Sequence, residues 1–510
     1  MTASRWARRS RAVAIGGLAA LATSLLAATP AVAAPPGCDN RNNNSIAKLL
    51  ECVTVDGVRE HQRALQDIAD ANNGNRASGS PGYDASAAYV AEQAAAAGLT
   101  VTTQEFDFPF FQIISETLSA GGTEFVAGTD FTSMTFSGSG AVTGTAVPVD
   151  LLLPPTGGST SGCEAADFAA FPAGAIALLQ RGTCNFGLKA TNAAAAGAAA
   201  VIIVNEGNSP DRVDLLQGTL GAPIDIPVVG ATFALAEVLQ NTEVSLAVDV
   251  LNEVRTTTNV FAEKPGTGDG VLMVGAHLDS VSEGPGINDN GSGSGAILEV
   301  ATLITKPKTD QTIRFAWWGA EELGLLGAEY YVANLPAEEL ARIGAYLNFD
   351  MVGSPNFARF VYDGDDSDVV GAPAGPPGSE AIEDVFEQFY VDRGLAYEGT
   401  DFDGRSDYGP FIAAGVPAGG LFTGAEGIKT EEQVALYGGE AGVAYDPCYH
   451  AECDTYDNVN TQVLDENADS IAYTTYTLAT TPLVPTGAPA GPAGGAGGGL
   501  SAHDHGVVSS

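Results

Sequence analysis

Basic residues are scarce in this chain of 510 amino acids. Lysine and arginine together number 22, against 62 aspartate and glutamate residues, so the formal net charge at pH 7 is −40. A chain this acidic repels the phosphate backbone of nucleic acids and anionic membrane surfaces. The composition therefore argues against both kinds of partner and favours solubility outside the cell.

Long apolar runs are also missing, except near the amino terminus. Four arginines within the first eleven residues precede an apolar stretch over residues 12–28, and the small-residue sequence AVA then ends at Ala33. This order is typical of a secretory signal peptide, here residues 1–33. No other stretch approaches the ~20 apolar residues of a membrane span. We expect a secreted, extracellular protein that begins at Ala34, with an uncleaved anchor as the alternative.

Cysteine is limited to six residues, which form three local couples. In a secreted chain such couples predict disulfides, although six cysteines allow about fifteen connectivities. Local pairing would close one loop inside each region, whereas a zinc-thiolate site is disfavoured by the wide separation of the couples. The expected pairs are Cys38–Cys52, Cys163–Cys184 and Cys448–Cys453.

The first part of the chain divides into two compositional regions. Residues 34–125 contain two helical patterns separated by the loop NGNRASGSPG, and then the alternating segment LTVTTQEFDF, which predicts a strand. Residues 126–254 consist of short Val, Ala and Gly-rich segments with few charges. This second region predicts a small mixed α/β domain by itself.

Residues 255–484 alternate apolar strands with helical patterns. The segments GVLMVGAHLDS, QTIRFAWWGAEE and IGAYLNFDMVG each predict a buried strand that ends abruptly in polar residues. The predicted fold class is α/β, with a mostly parallel mixed sheet covered by helices on both faces. Residues 485–510 are so rich in Gly, Ala and Pro that we expect a disordered tail.

Each of these three strands delivers residues that can bind a metal at its carboxyl end, where α/β sheets place their active sites. The candidates are His277, Asp279 and Asp289 after the first strand, Glu321 and Glu322 after the second, and Asp350 after the third. Taken singly, each motif has a simpler interpretation, such as a hydrogen-bonded strand-end histidine or a solvated helix start. Their arrival at successive strand ends favours a site for zinc or a similar divalent ion.

Histidine is the scarcest potential ligand, because the chain has only five. A balanced site for two ions needs a second imidazole beside His277. His61 lies in an early helix, and His503 and His505 lie in the tail. His450 remains as the natural candidate, and it lies between Cys448 and Cys453, whose disulfide would hold the loop in place.

The complete set of motifs resembles a known family. GAHLDS with GINDNGSG, WWGAEELGLLGAEYY, NFDMVG, DGRSDYGPF and CYHAECDTYDNV closely resemble the secreted di-zinc bacterial leucyl-type aminopeptidases of metallopeptidase family twenty-eight. The stretch RGTCNFGLKATNAAAAGAAAVIIVN resembles a protease-associated domain, and this resemblance implies that residues 126–254 are inserted within the peptidase fold. The resemblance implies the zinc exopeptidase fold and two zinc ions per chain. It also implies hydrolysis of peptides with a free N-terminus by a zinc-bound hydroxide, and we expect a monomer.

The resemblance also assigns roles to individual residues. His277 and Asp350 would hold one zinc, Glu322 and His450 the other, and Asp289 would bridge both. Glu321 would be the general base and Tyr449 the phenol that stabilises the oxyanion. Asp279 would accept the second imidazole N–H of His277 and fix its tautomer.

Substrate and calcium contacts are the remaining implications. The main-chain carbonyl of Arg405 would help to bind the substrate amine, with Glu398 or Asp401 in place of a glutamate that some relatives carry. Met351 and Phe422 match the apolar specificity pocket, which implies a preference for large hydrophobic N-terminal residues such as leucine. Asp465 and Asp469 match positions that bind calcium in some relatives, although a solvated helix face explains them equally well.

Other functions are compatible with parts of this pattern. A glutaminyl cyclase uses the same fold with one zinc and is the enzymatic alternative. A carboxypeptidase would need a cation for the substrate carboxylate, and only Arg405 and Arg359 are available nearby. A non-catalytic binding protein on the same fold is disfavoured, because all ligand positions and the base are filled.

Overall fold

The computed structural model describes residues 37–38, 41–367, 369 and 371–481. The predicted signal peptide and the predicted tail lie outside these described residues. None of the helices within them is long and apolar enough to cross a membrane.

The described residues form fourteen strands and twelve α-helices in an α/β arrangement. The strands are β1 (Thr100–Ala120), β2 (Thr123–Phe125), β3 (Phe131–Ser133), β4 (Gly140–Pro148), β5 (Ile176–Gln180), β6 (Ala200–Val204), β7 (Val228–Ala231), β8 (Glu243–Lys264), β9 (Val271–His277), β10 (Thr312–Trp318), β11 (Ile343–Phe349), β12 (Phe360–Tyr362), β13 (Glu398–Thr400) and β14 (Ala418–Phe422). The helices are α1 (Ile46–Leu50), α2 (Val55–Ala71), α3 (Pro81–Ala96), α4 (Phe186–Ala195), α5 (Leu235–Leu239), α6 (Gly291–Leu303), α7 (Leu326–Asn334), α8 (Ala337–Leu340), α9 (Ser379–Arg393), α10 (Tyr408–Ala413), α11 (Glu431–Tyr437) and α12 (Thr461–Ala479).

The main sheet is mixed, as the sequence predicts. Its strand order is β13-β12-β14-β11-β9-β10-β8, with β1 also paired to β8. The central strands β14, β11, β9 and β10 are parallel, whereas β8 is antiparallel to β10 and β12 is antiparallel to β14. The three strands predicted from the sequence are β9, β10 and β11, so the prediction of neighbouring parallel strands is confirmed.

Helices cover both faces of the main sheet. Leu272 and Val274 of β9 point into a core formed with α2, α3, α6, α9 and α12. Val271 and Met273, on the opposite face of the same strand, pack against α7 and α10. Because every residue of β9 is buried, the strand needs apolar side chains on both faces, which explains its unbroken apolar sequence.

The inserted domain is joined to the main sheet by one long antiparallel ribbon. β1 and β8 pair along almost their whole length, the early part of β8 pairs with β4, and its last residues pair with β10. β4, β5, β6 and β7 are parallel, and β3 is antiparallel to β7. The domain boundary that the sequence predicts at residue 254 lies inside β8. The amino-acid composition changes at this position, but the pairing of β8 with β1 continues across it.

All three local cysteine couples form disulfides: Cys38–Cys52, Cys163–Cys184 and Cys448–Cys453. The first lies beside α1 and the second lies in the inserted domain. The third closes a loop of the main domain between α11 and α12. That loop carries Tyr449 and His450, so the disulfide limits the positions these two side chains can reach.

Candidate active site

The carboxyl ends of β9, β10 and β11 meet at one edge of the main sheet. His277 is the last residue of β9 and is paired in register with Trp318, the last residue of β10. Glu321 and Glu322 follow Trp318 after a turn of two residues, and Asp350 directly follows β11. The register of the parallel strands therefore brings these side chains together, as the sequence predicts.

The carboxylate of Asp289 lies between two imidazoles. Its Oδ1 is 3.2 Å from Nε2 of His277, and its Oδ2 is 3.2 Å from Nε2 of His450. Asp350 Oδ1 is also 3.2 Å from His277 Nε2, and Glu322 Oε2 is 3.0 Å from His450 Nε2. The five predicted ligands thus form two half-sites that share one carboxylate.

The donor set of each half-site suits a divalent metal ion. The first contains His277, Asp289 and Asp350, and the second contains Asp289, Glu322 and His450; within each group the potential ligand atoms lie within 4.8 Å of one another. Oε1 of Glu322 is buried and has no hydrogen-bond partner among the described residues. One imidazole with two carboxylates is a donor set that zinc accepts, and a catalytic site leaves a further position open. The residues therefore fit two zinc ions.

Burial and crowding shift the acid-base properties of these groups. Burial raises the pKa of Glu322 to about 7, and it raises the pKa of Glu321 well above the ordinary range. Burial alone would lower the pKa of His450, but Glu322 and Asp289 raise it to about 11. Glu321 and Asp350 act in the same way on His277, against the effect of its burial. Without metal, the site therefore holds protons at neutral pH.

Zinc uptake is expected to release these protons. An imidazole must be neutral and a carboxylate ionised to bind the metal, so filling both half-sites at pH 7.5 should release about two protons. Because the carboxylate of Glu322, with a pKa of about 7, gains a proton as the pH falls below 7, zinc affinity should decrease more steeply there. Titration calorimetry in buffers with different ionisation enthalpies measures the released protons. Heats that do not depend on the buffer would contradict this expectation.

Asp279 orients both His277 and Glu321. Nδ1 of His277 lies 3.2 Å from the main-chain oxygen of Asp279, whereas the Asp279 carboxylate is 3.8 Å away. The main-chain oxygen is therefore nearer to the imidazole than the carboxylate that the sequence led us to expect, and the hydrogen bond to that carboxylate stays a prediction. Oδ1 of Asp279 accepts from the main-chain N–H of Glu321, at 3.2 Å. The residue links the ends of β9 and β10.

Tyr449 lies beside the second half-site, with its ring stacked on that of His450 at a centroid distance of 3.8 Å. Nη2 of Arg405 donates to the Tyr449 hydroxyl at 3.3 Å, and Nη1 of Arg405 donates to Glu426 Oε1 at 2.7 Å. Because the guanidinium can only donate, the phenolic hydrogen is left to point elsewhere. Tyr449 can therefore act as a hydrogen-bond donor towards the space above the half-sites.

Comparison with known proteins identifies the family. The sequence matches the model of peptidase family M28 over residues 259–475 and the PA domain model over residues 142–239. An aminopeptidase of Pseudomonas aeruginosa is 51% identical over 441 residues, which cover 84% of this chain and 82% of that protein. This chain belongs to peptidase family M28. The resemblance to family M28 that was drawn from the motifs is confirmed, and so is the presence of a PA domain.

Two further relatives of this M28 peptidase bear on its chemistry. A probable leucine aminopeptidase 2 of Trichophyton verrucosum is 42% identical over 421 residues, covering 80% of this chain and 81% of that protein. The structure of BSAP, a zinc aminopeptidase from Bacillus subtilis, is similar with a TM-score of 0.58 and 26% identity, covering 84% of this chain and 96% of that chain.

The half-sites of the M28 peptidase lie in a cleft that is partly open to solvent. Met351 and Phe422 line it, together with Tyr362 and Ala425, as does Arg405. The predicted apolar pocket residues therefore lie beside the half-sites.

Acidic side chains on the cleft wall are candidates for binding the substrate amine. Asp401 and Asp403 line the cleft, whereas Glu398 is not part of its lining. Glu398 accepts a hydrogen bond from Gln433 at 2.9 Å. Of the two alternatives left open by the sequence, the structure favours Asp401 by its position.

The two aspartates proposed for calcium already have partners in the M28 peptidase. Oδ1 of Asp465 accepts from the main-chain N–H of Val55 at the start of α2, at 3.0 Å. Oδ2 of Asp469 lies 3.5 Å from Nη2 of Arg393. Among the described residues, neither belongs to a group of three potential ligands within 4.8 Å. Calcium binding stays a prediction.

Two further residues support the site, a third is buried near it, and none of the three was assigned from the sequence. Ser406 Oγ donates to Asp350 Oδ2 at 2.6 Å. Asp454 accepts from the main-chain N–H groups of Asn288 and Asp289, at 2.8 and 2.9 Å. Asp407 is fully buried, and its carboxylate oxygens have no hydrogen-bond partner among the described residues. Ser406 and Asp407 lie in DGRSD and Asp454 in CYHAECD, so the motifs contained these residues without revealing their roles.

The backbone around the site adopts costly conformations. Ala320, Met351 and His450 have φ values of 57°, 47° and 56°, in the left-handed region that residues with a Cβ rarely adopt. Each such residue costs on the order of 1–3 kcal/mol and persists only where the surrounding structure enforces it. All three residues flank or form the half-sites. The surrounding structure therefore holds the backbone in an unfavourable conformation where this places the side chains of the site.

Proposed function

We propose that this M28 peptidase is a secreted, di-zinc aminopeptidase that removes N-terminal residues, preferentially large hydrophobic ones such as leucine. The observation that carries the proposal is the shared carboxylate of Asp289, which has one oxygen directed at each imidazole. His277 and Asp350 would hold one zinc ion, and Glu322 and His450 the other. Bound there, zinc would lower the pKa of a water molecule towards neutrality and polarise the scissile carbonyl.

Glu321 and Tyr449 would serve as the acid-base and oxyanion groups. Glu321 is buried and lines the cleft, and its Oε2 lies 3.9 Å from His277 Nε2, beyond the 3.2 Å contacts of the proposed ligands Asp289 and Asp350. Its carboxylate can therefore accept a proton from water and return it to the leaving amine. The phenol of Tyr449 can donate to the oxygen that becomes negative as the peptide carbonyl is attacked.

The substrate preference follows from the cleft. Met351 and Phe422 offer an apolar surface for the N-terminal side chain, and the leucine aminopeptidase name of the Trichophyton relative agrees with it. Asp401 and the main-chain oxygen of Arg405 would hold the positively charged amine. A free amine would thus be bound by acidic groups, which favours cleavage from the N-terminus.

Tyr449→Phe tests the oxyanion role. Loss of one hydrogen-bond donor to the developing charge is expected to lower kcat by about 10²-fold, with KM and zinc content nearly unchanged. Steady-state kinetics with a leucine anilide measure the effect, and Tyr330→Phe on the exposed side of α7 is the matched control. An unchanged kcat would show that Tyr449 only packs against His450.

The activity itself is tested by comparing three properties of the purified protein. We expect about two zinc ions per chain, hydrolysis of leucine anilide, and no cyclisation of N-terminal glutamine. Cyclisation with one bound zinc would favour the glutaminyl cyclase instead. Less than one zinc, with no activity after metal is added back, would favour a non-catalytic binding protein.

The available cations do not favour carboxypeptidase activity. Arg359 is buried and paired with Glu466 at 2.6 Å, and Arg405 is paired with Glu426 at 2.7 Å. A substrate carboxylate would have to displace one of these partners.

The three disulfides support the secretion part of the proposal, because such bonds persist in oxidising compartments. N-terminal sequencing of the secreted protein should give Ala34.

A further inference from the structure

Arg76 is a fully buried arginine in the loop between α2 and α3. It lies far before residues 259–475, the part of the chain that matches the peptidase model. Burial lowers the pKa of its guanidinium to about 10, so the side chain remains charged at neutral pH. A buried charge is costly unless every donor finds a partner, so the contacts of this side chain indicate what it does.

The guanidinium of Arg76 donates to three main-chain carbonyls of one loop. Nε donates to Pro285 O at 2.9 Å, Nη2 to Gly286 O at 2.6 Å, and Nη1 to Leu278 O. The main chain of Arg76 is also tied to the same loop, because its N–H donates to Ser280 Oγ at 2.9 Å. One side chain therefore holds both ends of the segment 278–286.

This segment connects two of the proposed zinc ligands. It begins directly after His277 and ends three residues before Asp289. Gly286 adopts φ +62°, and a Cβ there would lie 2.4 Å from the main-chain oxygen of Asp289 and 3.2 Å from Nη2 of Arg76. The loop is therefore packed closely between the guanidinium and the ligand it delivers. Asp454 holds the following main-chain N–H groups, so the loop is fixed at two points.

The charge of Arg76 and its geometry predict opposite effects on zinc binding. The nearby charges that act on the guanidinium are carboxylates: Asp279, Asp454, Asp289 and Glu322. If Arg76 acts only as a counter-charge to these acids, its removal leaves the site more negative and should tighten zinc binding. If it acts by shaping the loop, its removal lets His277 and Asp289 move apart and should weaken zinc binding.

We propose that Arg76 is a positioning residue of the metal site, which fixes the spacing of His277 and Asp289 through the carbonyls of segment 278–286. The three carbonyls lie at different points of the loop, and the planar fork of a guanidinium reaches them together, whereas an ammonium offers a single point. The helical segment that precedes the inserted PA domain thereby becomes part of the metal-binding unit. This inference rests on the proposed two-zinc site.

Arg76→Met tests the proposal, because it retains an unbranched side chain and removes all donors and the charge. Zinc affinity is measured by competition with a chromogenic chelator. We expect a loss of about 10–100-fold, the usual effect of removing a group that orients metal ligands. Arg76→Lys should also bind zinc more weakly than the parent, since charge alone does not restore the carbonyl contacts. At saturating zinc, kcat should fall while KM changes less than about twofold.

Arg359→Met is the matched control, because Arg359 is also buried and is paired with Glu466 away from the cleft. It should lower the melting temperature and leave zinc affinity unchanged. Parental or tighter zinc binding by Arg76→Met overturns the positioning role, and a lysine variant with parental affinity reduces the role to charge. If Arg76→Met does not fold, Arg76→Lys decides, because it keeps the charge and loses the three-carbonyl contact: weaker zinc binding supports the proposal and parental binding overturns it.

The failure of this inference can be distinguished from the failure of the proposed function. The parent protein is assayed first for zinc content and affinity. A parent without zinc contradicts the proposed function. A parent that binds two zinc ions, together with an Arg76→Met variant that binds them equally well, contradicts only the role of Arg76.

Discussion

Replacing Glu321 with glutamine is expected to lower kcat by about 10³-fold while zinc remains bound. The amide has nearly the same shape as the carboxylate but cannot accept a proton. Glu321 is 3% exposed, and its raised pKa shows that it binds a proton more readily than an ordinary carboxylate. It lies outside both half-sites as defined by the 3.0–3.2 Å contacts, so the metal ligands should be unaffected.

Metal analysis and steady-state kinetics on the same preparations separate this role from that of a ligand. Glu322→Gln should lose zinc as well as activity, because Glu322 Oε2 contacts His450 directly. Glu283→Gln, in an exposed part of the loop after β9, should leave both properties unchanged. Intact turnover in Glu321→Gln would refute the assigned base, and loss of zinc would make Glu321 a ligand.

The sequence predicts the strand ends well because the change from apolar to polar residues that marks each end occurs between neighbouring residues. β9, β10 and β11 are apolar along their length and change to polar residues at the point where each strand stops. Parallel pairing then places the ends of neighbouring strands at one edge, so His277, Glu321 and Asp350 meet without further information. The scarcity of histidine adds His450, since few other imidazoles could complete the second half-site.

Contacts between distant parts of the chain are what the sequence does not show. Arg76 lies about two hundred positions before the carbonyls it holds, and no pattern in NGNRASGSPG reveals that its side chain is buried. The β1–β8 ribbon is missed for a similar reason. The amino-acid composition changes at residue 254 and suggests a boundary there. The ribbon is held by main-chain hydrogen bonds, which most residue types can form, so the composition does not reveal it.

The hydrogen bonds that orient the proposed zinc ligands also depend on how the main chain folds, which the sequence does not show. Asp279 was expected to bind the imidazole of His277 with its carboxylate, but the main-chain oxygen of the same residue is nearer. The choice between these two oxygens depends on the turn after β9, and therefore on Arg76 and Ser280. Residue identity predicts that an acceptor is present, and only the folded loop decides which acceptor is used.

Asp289→Asn is expected to abolish zinc binding at micromolar metal and to reduce activity by three orders of magnitude or more. Its carboxylate serves both half-sites, and its pKa is lowered despite burial because His277 and His450 both donate to it. An amide carries no charge and offers one acceptor oxygen in place of two, so it can serve only one half-site, and weakly. Asp269→Asn, an exposed residue just before the amino end of β9, is the matched control for the change in charge. If zinc analysis finds one tightly bound ion in Asp289→Asn, the two half-sites are independent; if it finds two, Asp289 does not bridge them.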